Sequence, residues 1–240
     1  MNQIAKAAWS LWSAPFRAIL FPPFSESSSQ KSYPHENLWA RIFKRGTDIL
    51  SATALVPVLG LVIIGVSALI KRDGGCIFYS QKRIGRNGEA FQCLKFRTMV
   101  PNAEQALEDY LSQNPDCRDD WNTYKKLKND PRITLVGKFL RKFSLDELPQ
   151  IINVLKGEMS LVGPRPILEN ERHFFAESYQ DYLSVKPGIT GLWQVSGRNE
   201  KTFVERVELD SEYVRNWTML SDVSIIFKTF AVVFSGRGAY

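Results

Sequence analysis

Two adjacent carboxylates, Asp146 and Glu147, are the first candidates for chemistry in this sequence. Three basic residues lie just before them, at Lys138, Arg141 and Lys142. Acidic side chains next to several basic ones can form an anion site that also holds a divalent cation. The residue types and their spacing therefore predict a site for a phosphate-bearing ligand.

A purely structural role for the same segment remains open. Ser144 and Glu147 have the spacing of a capping box, in which a serine and a glutamate three residues later satisfy backbone N–H groups at a helix start. Acidic residues also favour a helix N-terminus because of the helix dipole. This segment alone fits both a helix cap and a reactive site.

Other basic side chains lie in segments shaped by glycine and proline. Arg165 lies between two prolines, which leave the guanidinium less freedom to lose on binding. Arg198 belongs to the glycine-containing segment 186–199, in which backbone N–H groups can approach an anion closely. Lys95 lies at the end of a predicted hairpin. Each segment could be a solvated loop, but together they favour phosphate binding.

The elements that must position these residues include an uncharged apolar run at residues 49–70. A straight helix over this run would measure roughly 33 Å, enough to cross a bilayer core. Pro57 lies near its middle, where a proline bends a helix. Basic residues flank both ends, so positive charge does not select one inside face. We predict a Pro-kinked re-entrant helix, with a spanning helix as the alternative.

The remaining sequence predicts an α+β fold that is mainly helical. β-Branched and aromatic residues around Asn87-Gly88 predict a β-hairpin at residues 76–96. The apolar segment 217–234 predicts either a helix lying flat on a membrane or a buried core helix. Further helices are predicted over residues 103–128, 135–156, 167–182 and 202–215.

Composition narrows the function classes. The chain has 240 residues, with 31 basic and 25 acidic side chains and a net charge of +6. This balance suits nucleic acid, anionic lipid or phosphate-bearing small molecules. Nucleic acid fits poorly, because the charges are scattered through loops and do not form one basic stripe. Asp210 and Glu212 could resemble a metal-binding pair, but their helical context favours a solvated face.

Several long motifs follow one another along the chain. They are KRGTDILSATALVPVL, QKRIGRNGEAFQCLKFRTM, DPRIT, LRKFSLDELPQIINVLKGEMSLVGPRP, KPGITGLWQVSGRN and the terminal RGAY. Together they resemble the bacterial sugar transferase family, the monotopic polyprenyl-phosphate phosphoglycosyl transferases, and most of all its short exopolysaccharide-initiating members. The resemblance covers residues 40–240 as a phosphoglycosyl transferase domain that includes membrane helix 49–70. It leaves residues 1–39 as an N-terminal extension and linker, whose aromatic residues could lie at a membrane interface.

The resemblance implies a fold and a reaction. The fold is an α+β, mainly helical, monotopic membrane protein with a re-entrant helix kinked at Pro57, a small β-hairpin and interfacial helices. Many members have Ser-Pro at the kink, whereas this chain has Val56-Pro57. The reaction transfers a sugar-1-phosphate from a UDP-sugar to undecaprenyl phosphate and releases UMP. It would initiate the synthesis of exopolysaccharide or another surface glycan at the cytoplasmic face of the inner membrane.

The same resemblance assigns roles to residues. It implies that Asp146 is a nucleophile that forms a covalent aspartyl–phosphosugar intermediate, and that Glu147 helps to bind Mg²⁺. The phosphate-binding positions of the family match Lys95, Arg141, Arg165 and Arg198. The implied partners are a UDP-sugar, undecaprenyl phosphate and membrane lipids, without nucleic acid, and a homo-oligomer is left open. The alternatives are a transferase that moves sugar without phosphate and a catalytically silent, membrane-anchored scaffold of a polysaccharide assembly complex.

Overall fold

The computed structural model describes residues 33–235, except residues 73, 119–120, 122–126 and 128–129. The described part is mainly helical and contains two small two-stranded sheets. The predicted interfacial segment 1–24 and the terminal RGAY lie outside the described residues.

The predicted apolar helix is present and is longer than the apolar run. Helix α1 spans Leu38–Lys71, and its N-cap Asn37 accepts a hydrogen bond from the backbone N–H of Trp39. Pro57 lies inside the helix. By length and composition α1 could cross a membrane, and only 11% of its most apolar window is buried against the protein. Most of its apolar surface therefore needs an apolar solvent such as lipid.

The first turns of α1 are fixed to the rest of the protein by polar contacts. The buried carboxylate of Asp48 accepts hydrogen bonds from Ser160 Oγ at 2.8 Å and from the backbone N–H of Leu161 at 3.0 Å. The ammonium of Lys44 lies 2.6 Å from the carboxylate of Asp222. These contacts involve buried or largely buried groups, so they fix the direction in which α1 leaves the domain.

The last turns of α1 also pack against the folded domain. Val66 and Ile70 are buried against Phe96 and Leu140, and Arg97 Nη2 donates to the backbone carbonyl of Ile70 at 3.2 Å. Both ends of the helix are therefore attached to one folded unit.

The predicted β-hairpin is confirmed. Strands β1 (Phe78–Ile84) and β2 (Ala90–Phe96) pair antiparallel. Asn87 and Gly88 in the turn have φ angles of 57° and 81°, the left-handed conformation that this residue pair tolerates. The hairpin holds Lys95 close to the base of β2, on the side of the fold where the candidate site forms.

The predicted helix 202–215 is confirmed as Phe203–Arg215, whereas two other predicted helices are interrupted. A helix over 135–156 is wrong as a continuous element, because Ser144 has a φ of 54° and a 3₁₀ turn occupies Leu145–Glu147. A helix over 167–182 is likewise replaced by two 3₁₀ segments before a short α-helix. The α-helices are α2 (Ala103–Gln113), α3 (Leu135–Lys142), α4 (Gln150–Lys156), α5 (Tyr179–Ser184), α6 (Leu192–Val195), α7 (Phe203–Arg215) and α8 (Met219–Ser235).

A parallel pair of three-residue strands at the centre of the fold was not predicted. Strands β3 (Ser160–Val162) and β4 (Gly188–Thr190) are too short to show a periodicity in sequence. A Cβ added at Gly163 would lie 2.6 Å from a backbone carbonyl, so a side chain there would force the segments apart. Around this pair packs a core that includes Val162, Leu192, Val195, Tyr213, Val214, Trp217 and Ile225.

Candidate active site

The adjacent carboxylates lie on the 3₁₀ turn Leu145–Glu147, between α3 and α4. The capping-box alternative is wrong. Ser144 has left-handed backbone angles and makes no capping bond, and its Oγ accepts a hydrogen bond from Arg198 Nη1 at 3.2 Å. The Glu147 side chain turns toward other basic residues and does not close a cap. The break in the helix thus frees both carboxylates for the site.

Glu147 is held by two cations. Its Oε1 accepts hydrogen bonds from Lys95 Nζ at 2.7 Å and from Arg165 Nη1 at 3.1 Å. Burial alone would raise the pKa of Glu147, but the positive charges and hydrogen bonds of Lys95 and Arg165 outweigh it and hold the pKa below its usual range. Glu147 is therefore a fixed, ionised carboxylate.

Asp146 is held less firmly than its neighbour. Its Oδ2 lies 3.8 Å from Lys95 Nζ, and no hydrogen bond to its carboxylate is made by the described residues. Burial raises its pKa, and the negative charge of Glu147 raises it further, while nearby cations oppose the rise. The side chain keeps 15% of its surface exposed. Glu147 is exposed to the same 15%, so what sets Asp146 apart is that its oxygens are not taken up by hydrogen bonds to the described residues, which leaves them free to bond to a ligand.

The remaining predicted phosphate-binding residues border the same carboxylates. Arg141 donates from Nε to Thr98 Oγ1 at 2.9 Å, and its charge acts on Asp146. Arg198 is oriented by its hydrogen bond to Ser144 and interacts electrostatically with Asp146 and Glu147. The structure thus brings together Lys95, Arg141, Asp146, Glu147, Arg165 and Arg198. Pro57 lies apart from them, in α1.

Three buried polar atoms beside Arg198 lack a hydrogen-bond partner in the described part of the chain. They are Trp193 Nε1, Gln194 Oε1 and Ser196 Oγ. Buried polar groups are normally satisfied, so unsatisfied ones in the segment that carries Arg198 are available to a ligand. Gln194 and Ser196 were not selected from the sequence, although polar residues within the apolar motif GLWQVSG were a usable signal.

A second layer lies behind Arg165. The Trp193 ring is flanked by two guanidinium groups, with Arg165 Cζ at 5.7 Å and Arg206 Cζ at 5.2 Å from its centroid. Arg206 also donates to the backbone carbonyl of Arg165 at 3.2 Å. Its partner Asp210 lies 3.6 Å away and is only 2% exposed. The expectation that Asp210 faces solvent is therefore wrong, and burial raises the pKa of Asp210 to about 7 against the opposing charge of Arg206.

The donor set fits a divalent cation that is shared with a ligand. The described residues contain no group of three or more His, Cys, Asp and Glu side chains that could hold a metal ion by themselves. Asp146 and Glu147 offer carboxylate oxygens next to cations that attract phosphate. Mg²⁺ is commonly bound by one or two carboxylates together with substrate phosphates and water. The pair is thus suited to a magnesium–diphosphate complex.

Comparison with known proteins settles the family. The model of the family described as bacterial sugar transferase matches residues 39–236. The chain belongs to this family. The matched range begins at the first turn of α1 and includes all six charged residues of the candidate site. The resemblance inferred from the motifs is therefore confirmed. The chain is accordingly a phosphoglycosyl transferase.

The relatives that the chain matches differ in length. The chain is 48% identical over 200 residues to the exopolysaccharide production protein ExoY of Sinorhizobium fredii. This match covers 83% of the chain and 88% of the relative. It is 49% identical over 201 residues to the undecaprenyl-phosphate galactose phosphotransferase of Salmonella typhimurium, covering 84% of the chain but 42% of that protein. Identity to the UDP-glucose:undecaprenyl-phosphate glucose-1-phosphate transferase of Escherichia coli is 38% over 209 residues.

Proposed function

We propose that this transferase moves a sugar-1-phosphate from a UDP-sugar to undecaprenyl phosphate and releases UMP. The names of the Salmonella and Escherichia relatives support the substrate classes. The observation that carries the mechanism is that the two carboxylates differ in their hydrogen bonds. Glu147 accepts hydrogen bonds from two cations, whereas Asp146 lies beside one of them at 3.8 Å without a hydrogen bond from the described residues. This arrangement provides one reactive carboxylate within a phosphate-binding surface.

The reaction then proceeds in two displacements. An oxygen of Asp146 bonds to the β-phosphorus of the donor, and the bond from that phosphorus to the bridging oxygen breaks, so UMP leaves with the electron pair. A phosphate oxygen of undecaprenyl phosphate next attacks the same phosphorus and displaces the carboxylate. Lys95, Arg165 and Arg198 lie where they can offset the negative charge of the phosphoryl oxygens.

The proposal includes a Mg²⁺ ion that would be bound by the carboxylate of Glu147, next to Asp146. When bound, the ion would neutralise charge on the donor diphosphate and thereby lower the repulsion felt by an attacking carboxylate. The cations around Glu147 keep it ionised, which a metal ligand must be.

The contacts of α1 support a re-entrant path through the membrane. Asp48 and Ile70 are attached to the same domain, although a straight helix between them would measure roughly 33 Å. A spanning helix would carry one end away from that domain. A bend at Pro57 instead allows both ends to return to one membrane face.

Two further helices support placement of the site at the headgroup level. Leu135 and Phe139 on α3 are 85% and 55% exposed, and Phe227 and Phe234 on α8 are 71% and 80% exposed. Such apolar faces suit helices lying in the membrane interface. Ile225, on the opposite face of α8, is fully buried. One face of α8 therefore suits the membrane interface, and the other belongs to the core. We place this interface at the cytoplasmic side of the inner membrane.

The product nucleotide tests the reaction. Purified full-length chain is incubated with undecaprenyl phosphate, Mg²⁺ and UDP-galactose, UDP-glucose or their N-acetylated forms, labelled in the sugar and the β-phosphate. We expect UMP, a labelled lipid and a labelled protein that Asp146→Asn does not form. Release of UDP would instead support transfer of sugar alone, and no labelled lipid or protein with any donor would support the scaffold.

Thiol labelling tests the path of α1. Cys76 follows the helix and is exposed, and Pro34, which precedes it, is also exposed. In a Cys117→Ser background, Cys76 should react with an impermeant maleimide in inside-out vesicles alone, and so should a Pro34→Cys variant in which Cys76 is also changed to serine. Labelling of the two positions from opposite sides would exclude the re-entrant path. The buried Cys93 serves as the unreactive control.

A further inference from the structure

A second group of cations lies where α1 meets the hairpin turn and the segment before β4. We call it the junction cluster, and it consists of Arg41, Arg45, Arg86 and Lys186. Arg41 and Arg45 belong to the first turns of α1, and Arg86 to the turn between β1 and β2. The reaction proposed above uses none of these side chains.

The cluster has a fixed floor. Arg45 donates from Nη1 to the carbonyl of Val154 at 2.6 Å and from Nη2 to that of Leu155 at 3.1 Å. Gly157 follows, and a Cβ built there would lie 3.4 Å from Arg45 Nη2 and 3.5 Å from Lys186 Nζ. The two cations therefore lie close to the same glycine, and so close to each other.

The cluster's positive charge lacks a matching carboxylate. Arg86 Nε is buried without a hydrogen-bond partner, and the Lys186 side chain makes no hydrogen bond or ion pair, among the residues that the structure describes. Burial lowers the pKa of Lys186, and the charges of Arg45 and Arg86 lower it further, with only Asp48 opposing them. That carboxylate is already hydrogen-bonded elsewhere in the fold.

Arg86 is in the same situation. Burial lowers its pKa, and the charge of Arg41 adds to this effect, while Glu89 alone opposes it. Partly buried like charges raise the free energy of the folded state unless an anion offsets them. Donors without partners among several cations are what a phosphate group would complete.

The cluster is separate from the candidate active site. Lys95 lies near the end of the hairpin opposite to the turn, and from Ala90 to Lys95 the strand runs about 17 Å. A phosphate bound beside Arg86 is therefore too far from Asp146 to be the one that reacts.

The cluster also adjoins the beginning of the apolar run of α1. Arg45 precedes the apolar run at residue 49 by about one helical turn. Trp39 and Phe43, on the same turns, are 76% and 61% exposed. Aromatic side chains beside basic ones at the end of an apolar helix are typical of the membrane–water interface.

We propose that the junction cluster binds the phosphate of an anionic membrane lipid, at a site distinct from the one that carries out transfer. The lipid's phosphate would accept hydrogen bonds from Arg86 and Lys186, and its acyl chains would extend along the exposed apolar side of α1. The proposal concerns binding alone and holds whether or not the proposed reaction is correct.

The test uses the full-length chain in neutral detergent without UDP-sugar, with thermal unfolding as the readout. The probes are dihexanoyl phosphatidylglycerol, dihexanoyl phosphatidylcholine and inorganic phosphate. The variants are Arg86→Gln and Lys186→Gln, and Lys82→Gln, an exposed cation on the same hairpin, is the matched control. Each variant is also measured without lipid, so that altered stability is separated from altered binding.

We expect phosphatidylglycerol to raise the melting temperature of the wild type and of Lys82→Gln. In Arg86→Gln and Lys186→Gln, the lipid concentration that gives half of this shift should rise about tenfold or more, as expected for loss of a charge-assisted hydrogen bond. Equal responses of all variants would overturn the site. An equal response to inorganic phosphate, lost in the same two variants, would overturn the lipid assignment, and an equal response to phosphatidylcholine would overturn the preference for anionic lipid.

Discussion

The two basic clusters of this protein differ in what balances their charge. Around the 3₁₀ turn, Lys95 and Arg165 both bind Glu147 and surround the neighbouring Asp146. In the junction cluster, the cations repel one another, and Arg45 donates to two backbone carbonyls and not to an acid. The comparison teaches that cations paired with acids organise a reactive group, whereas cations without acids indicate an absent anion. This contrast yields predictions that differ for the two clusters.

The largest expected effect is the loss of the proposed nucleophile. Asp146→Asn should reduce transfer of labelled sugar-phosphate to undecaprenyl phosphate about a thousandfold or more, because no other described side chain is placed to form the covalent bond. Its melting temperature should stay within a few degrees of wild type. Asp109→Asn, which changes an exposed carboxylate on α2, is the matched control and should keep full activity. Near-normal transfer by Asp146→Asn would contradict the mechanism.

Removal of one cation from the paired cluster should have the next largest effect. Arg165→Gln leaves Glu147 with Lys95 alone and removes charge from the phosphate-binding surface. We expect kcat/KM to fall about a hundredfold, a typical loss for one group that stabilises transition-state charge. Arg118→Gln removes an exposed partner of Glu108 and should have little effect. Similar losses in both variants would argue against a specific role of Arg165.

The layer behind Arg165 tests how far charge balance extends from the paired cluster. The pKa of Asp210 is raised to about 7, so between about pH 4 and 7 the folded state binds more protons at this group than the unfolded state. The stability from protonated Asp210 is therefore present at low pH and is lost as the pH rises through 7. Asp210→Asn does not titrate, so its melting temperature should decline several degrees less than that of the wild type between pH 5 and 8. Parallel curves would contradict the raised pKa.

Sequence patterns predicted the apolar helix and the hairpin well, since both depend on local signals. The uncharged run gives α1, and Asn87-Gly88 gives the turn. The motifs also selected the six charged residues that meet at the candidate site. The motifs could not show which cations are paired. Arg165 and Lys186 each precede a proline, but only the tertiary structure places Arg165 beside an acid.

The errors in sequence interpretation have the same origin. Ser144 and Glu147 have capping-box spacing, yet a left-handed serine ends the helix and sends the glutamate to Lys95 and Arg165. Asp210 is in a charged helical segment, yet its face of α7 packs behind Trp193. In both cases a local pattern was overridden by partners that are distant in sequence.

The smallest expected effect compares the two clusters most directly. A lysine-to-glutamine substitution should change the melting temperature differently in each of them. Lys95→Gln removes a cation that hydrogen-bonds Glu147, so it should lower the melting temperature by a few degrees in phosphate-free neutral detergent. Lys186→Gln removes a cation that is repelled by Arg45 and Arg86, so it should leave the melting temperature unchanged or raise it by about 1 °C. If Lys186→Gln destabilised the protein as much as Lys95→Gln, the junction cluster would already be balanced within the folded chain, and the two clusters would not differ in the way that their contacts indicate.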